Sequence, residues 1–88
     1  MTDITKNEAG LYPAFAAFTE TEVRSKLVDG AVRVGKYGPA SQAQIEYLAA
    51  LFVRNDASRL LFQDFTVNSS GALPLKKASK LIEKLLTI

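Results

Sequence analysis

The chain contains neither cysteine nor histidine. That double absence removes disulfide staples, thiolate nucleophiles, Cys/His zinc sites, Ser-His-Asp triads and imidazole pH sensing at once. Long apolar runs are missing as well. The longest nearly apolar stretch, Leu11–Phe18, is interrupted by Pro13 and falls far short of the roughly 18–20 residues that span a bilayer. The opening Met1-Thr-Asp-Ile-Thr-Lys6 lacks the basic region and following apolar run of a secretion leader, so a cytoplasmic location and no membrane partner are expected. A large excess of one charge is missing too, with 11 Lys and Arg against 9 Asp and Glu for a net charge of +2.

What remains is the composition of an ordinary small globular chain: 88 residues, 48% hydrophobic and 23% charged. Residues Met1–Gly10 are polar and aperiodic and read as a mobile tail, leaving residues 11–88 as one domain. Leu11–Phe18 reads as an extended or irregular segment laid on the core. Thr19 with Glu22 forms a capping box, and Phe18 with Val23 the matching hydrophobic staple. The helix so begun would end at Asp29-Gly30, with Gly30 in the left-handed conformation. Asp29-Gly30 also suits a two-residue hairpin between Glu22–Val28 and Ala31–Tyr37. Helix followed by strand is the preferred assignment, because Val32 and Val34 alternate with Arg33.

Beyond Gly38-Pro39, Ser41 and Gln44 form a second capping box for a helix over Gln42–Arg54, with Ile45, Leu48, Ala49 and Phe52 at helical spacing. Asp56 is placed as the cap of a helix over Ala57–Phe65 that buries Leu60, Leu61 and Phe65, and Thr66–Leu73 as a loop. Pro74 then precedes a last helix, Leu75–Leu86, with Ala78, Leu81, Ile82 and Leu85 on one face. The expected fold is mainly α: a small bundle of three or four helices, with a short strand or hairpin near residues 31–37.

Two catalytic signals fail on their context. Gly30-Ala-Val-Arg-Val-Gly35-Lys36 matches the first seven positions of a phosphate-binding loop. Tyr37 stands where that loop needs Ser or Thr, and Gly38-Pro39 stops the helix that should follow. Glu20 and Glu22 sit in a first helical turn, where capping and the helix dipole account for them. No acidic cluster has metal-loop spacing, so neither an enzyme nor a cofactor nor a metal is expected.

The charge distribution is more informative. Residues 71–88 carry Lys76, Lys77, Lys80 and Lys84 against Glu83 alone, so the basic excess lies on the last helix. Lys76, Lys80 and Lys84 fall at i, i+4 and i+8 and can track phosphates about one helical turn apart, with Lys77 beside them and Arg54 and Arg59 as flanking charges. Phe52 and Phe65 read as core. Tyr47 and Phe62 lie off the main stripes and read as interface residues, and Tyr47 could stack on bases. A different class of function, an adaptor or inhibitor of a host or viral enzyme, would use Tyr12, Phe15 and Phe18 as its anchor. The abundance of large apolar groups also suggests a homodimer, through the Leu86–Ile88 end or the Leu11–Phe18 segment.

Ser41-Gln-Ala-Gln44-Ile45-Glu-Tyr47-Leu48-Ala-Ala-Leu51 resembles the T-x-x-Q-x-x-Y-[I/L]-x-x-L opening of a small helical module of phage and bacterial proteins. Ala78-Ser79-Lys-Leu81-Ile82-Glu-Lys-Leu85 is similar to its closing E-A-S-x-L-I-x-x-L. The resemblance covers about residues 39–86. It departs at Lys77, where the module carries an acid, and at Pro74, where it carries Ser or Thr. Because that module often accompanies DNA replication or recombination, the resemblance implies a non-enzymatic, phage-like accessory function. Nucleic acid, or a protein of nucleic-acid metabolism, would be the partner, in the host cytoplasm.

Overall fold

Two capping boxes organise the first half of the domain, both where the sequence puts them. The Thr19 amide donates to Glu22 Oε1 (3.0 Å) and the Glu22 amide to Thr19 Oγ1 (3.2 Å). Ser41 and Gln44 repeat the exchange at 2.9 and 3.1 Å. Each box satisfies amides that a helix start otherwise leaves without partners. The computed structural model describes residues 6–8, 10–34, 38–68 and 71–88, and within them the chain is mainly helical. The helices are α1 (Pro13–Ala17), α2 (Glu20–Ala31), α3 (Gln42–Phe52), α4 (Asp56–Asn68) and α5 (Leu75–Leu86). Helix α3 lies at the centre and packs against α2, α4 and α5, while α1 lies on α4. Ser41→Ala removes the acceptor from the second box and is expected to lower stability by about 0.5–2 kcal/mol, read as a lower denaturant midpoint at unchanged slope.

The core joins Val23 and Leu27 of α2, Ile45, Leu48, Ala49, Leu51 and Phe52 of α3, Phe62 and Phe65 of α4, and Ala78, Leu81 and Leu85 of α5. Leu73 closes it from the loop before α5. That loop is tied to the one before α3 by an antiparallel bridge between Pro39 and Pro74. The Ala40 amide donates to the Leu73 carbonyl and the Leu75 amide to the Gly38 carbonyl, both at 3.0 Å. The two prolines occupy the non-hydrogen-bonded positions of this pair, where a missing N–H costs nothing.

Several sequence expectations are corrected. Leu11–Phe18 is not extended: Pro13 opens the five-residue helix α1, which brings the helices among the described residues to five. Its stability comes from α4. Gln63, itself buried, accepts from the Tyr12 amide (2.9 Å) and donates to the Gly10 carbonyl (3.1 Å). One turn earlier, Arg59 donates to the Phe15 and Phe18 carbonyls (3.0 and 2.8 Å). The two side chains strap α1 at both ends and supply partners that so short a helix cannot supply itself. The end of the expected tail is also fixed, because Asn7 exchanges backbone and side-chain hydrogen bonds with Leu11.

Gly30 does not terminate α2. It lies inside the helix, buried against the Gly71 carbonyl, and the left-handed glycines among the described residues are Gly10 and Gly71. Because Glu22–Val28 is helical, the hairpin is excluded, as is a phosphate loop starting at Gly30. Ala31 closes α2 and Val32 is its C-cap. Arg33 and Val34 follow outside any strand, and the rest of the expected strand, Gly35, Lys36 and Tyr37, lies outside the described residues. Helix α4 runs on to Asn68, so the expected loop is shorter. Its first turn is capped by Asn55 Oδ1, which accepts from the Ser58 amide at 2.8 Å, and not by Asp56.

Candidate nucleic-acid interface

Helix α5 buries Ala78, Leu81 and Leu85 and turns Lys76, Lys80 and Lys84 to solvent. At 1.5 Å per residue the three ammonium stems spread over about 12 Å along one side. Among the described residues no acid pairs with them, and Lys84 lies in the last turn, where a cation favours the helix dipole.

Most other described cations are engaged with the fold. Arg24 pairs with Glu20 (3.4 Å) and approaches Glu46 of α3 (4.0 Å), and Arg33 pairs with Asp29 (3.5 Å). Lys6 and Lys26 lie over the rings of Tyr12 and Phe18, 5.1 and 5.5 Å from the centroids. Lys77, grouped with the other lysines by its position in sequence, leans the other way. Its Nζ stands 5.0 Å above the Phe65 ring and the residue is half-buried against α4.

The two flanking arginines also have structural partners. Arg54 donates to the Leu85 carbonyl at 2.8 Å and closes the C-terminal end of α5, while Arg59 is held by the carbonyls that end α1. Each guanidinium is thus tied to backbone carbonyls through one of its nitrogens, Arg54 while exposed and Arg59 while half-buried. Sequence reasoning counts charges on a helix, but it cannot see which carbonyls the fold brings within their reach.

The five aromatic interface residues divide in a similar way. Phe62 is 1% exposed and belongs to the core, which corrects its placement as an interface residue. Phe15 and Phe18 meet each other edge to face at 5.1 Å and both meet Phe62, at 5.8 and 5.7 Å. Tyr12 is half-buried beneath Lys6. Tyr47, on the outer side of α3, is 46% exposed and has its ring available.

The chain matches no protein-family model, no curated protein and no solved structure. Among the described residues, no helix is long and apolar enough to cross a membrane.

Proposed function

We propose that the chain is a non-enzymatic accessory binding module that grips nucleic-acid phosphates through Lys76, Lys80 and Lys84, in a phage-like, cytoplasmic setting. The observation that carries this reading is the division among the cations. Among the described residues, Lys76, Lys80 and Lys84 are the basic side chains without a partner, and all three share one side of α5. Lysines spaced one turn apart on a rigid helix suit a row of backbone phosphates, and each neutralised phosphate adds affinity without reading sequence. The resemblance of residues 39–86 to a helical module of DNA metabolism supports the same setting. The protein-adaptor reading is weaker, because in its Tyr12, Phe15 and Phe18 anchor both phenylalanines pack against the domain's own core and Tyr12 is half-buried.

Replacing all three lysines by Gln tests the proposal, since Gln keeps helix propensity while removing charge. The variant should hold the wild-type circular dichroism spectrum and lose nearly all binding to mixed-sequence DNA, duplex or single-stranded, at low salt. Wild-type affinity in the folded variant would remove α5 as the contact surface. No binding by the wild type would return the function to the adaptor class.

A further inference from the structure

Helix α5 has a second apolar stripe that the fold leaves uncovered. Leu75, Ser79, Ile82 and Leu86 follow one another in steps of four, three and four residues, the spacing of a coiled-coil seam. Leu75 and Leu86 are 49% and 54% exposed, Ser79 is exposed, and Ile82 is half-buried at the margin of the core. The stripe lies roughly a quarter-turn round the helix from the buried face formed by Ala78, Leu81 and Leu85.

The two ends of this stripe differ. Beside Leu75 is an open cavity of about 400 Å³, lined among the described residues by Gly38, Pro74, Leu75 and Lys76. At the other end project Leu86 and Ile88, the latter 49% exposed. Hole and knob are about 16 Å apart on one helix, so a single copy cannot join them.

We infer that the chain associates with a second copy of itself through an antiparallel, two-fold pairing of α5. In that register Leu75 meets the partner's Leu86, and Ser79 meets the partner's Ile82. A small residue thus faces a branched one in each inner layer, and the partner's Ile88 reaches the cavity beside Leu75. The two-fold axis makes every contact twice. Charge agrees with this choice. Lys76 comes beside the partner's Glu83, and Glu83 beside the partner's Lys76, which gives two flanking pairs of opposite sign. A parallel pairing would set hole against hole and knob against knob. One short helix per copy makes a contact at the small end of specific interfaces, so the association is reversible and depends on concentration.

Sedimentation equilibrium of the full chain without nucleic acid tests this independently of the lysine-face reading. Toward high micromolar concentration the mass should rise from 9.6 kDa toward twice that value. Glu83→Lys turns two attractive pairs into two repulsive ones and should weaken association about tenfold. Adding Lys76→Glu to Glu83→Lys restores opposite signs and should recover most of the loss. A wild-type mass that stays at 9.6 kDa throughout would overturn the inference. So would a dimer that is indifferent to Glu83→Lys, because its contact would then lie elsewhere.

Discussion

Phe62→Ala should bring the domain to the edge of unfolding at room temperature. The ring is 1% exposed and joins two groups of aromatics: Phe15 and Phe18 on one side, and Phe52, 5.0 Å away, on the other. Its removal takes away the transfer free energy of a large side chain and leaves a cavity between α1, α3 and α4, a cost of about 3–5 kcal/mol. A domain of this size has roughly 4–13 kcal/mol to lose. Leu60→Ala, two residues earlier on the same helix, is the control. Leu60 is 36% exposed, so its loss should cost about 1 kcal/mol or less. Chemical denaturation of both variants checks the contrast. Equal midpoint shifts would mean that α4 presents a different face to the core.

Gly30→Ala is expected to destabilise although alanine is the better helix former. Within a helix the exchange ordinarily gains about 0.5–1 kcal/mol. Here a Cβ would collide with the Gly71 carbonyl oxygen, which is backbone and cannot rotate aside. The contact is held from both sides. The Gly71 amide donates to the Phe65 carbonyl and the Leu73 amide to the Gly30 carbonyl, each at 3.2 Å. Gly71 itself has a φ of 73°, which leaves the loop little alternative geometry. Overpacking against fixed backbone outweighs the propensity gain and leaves a net loss of about 2 kcal/mol, equivalent to a melting temperature lower by roughly 10 °C. An unchanged or higher melting temperature would show that the α4–α5 loop moves away from α2 at little cost.

These two sites show where the sequence is legible and where it is not. The capping boxes at Thr19 and Ser41 were readable because both partners lie within four residues of each other. The buried faces of α3 and α5 were readable because apolar residues recur there at helical spacing. Helix α4 hides its inner face: of Ser58, Phe62, Gln63 and Phe65, two are polar, so an apolar count finds Phe65 but adds exposed Leu60 and half-buried Leu61 and misses Phe62. Ser58 is fully buried, and its Oγ has no hydrogen-bond partner among the described residues, so nothing in local composition marks the position as interior. Helix α1 is short and its strap comes from residues more than 40 positions away, which no local pattern reports. Gly30 looked like a helix stop because glycine's common use is a left-handed cap, whereas here it permits a close backbone approach. The candidate site divides along the same line. The stripe of Lys76, Lys80 and Lys84 is a local periodicity and was visible. The partners of Lys77, Arg54 and Arg59 are tertiary and were not.

The salt dependence of DNA binding tests the central claim most directly. Each phosphate neutralised on a duplex contributes about −0.9 to the slope of log affinity against log salt concentration, and about −0.7 on a single strand. With Lys77 turned to Phe65 and both arginines held by carbonyls, three lysines remain. The slope should therefore be about −2.7 on duplex or about −2 on single strand, and each single Lys→Gln change should reduce it by about one contact. A measurable affinity with a slope near zero, or no binding at low salt, would contradict the account.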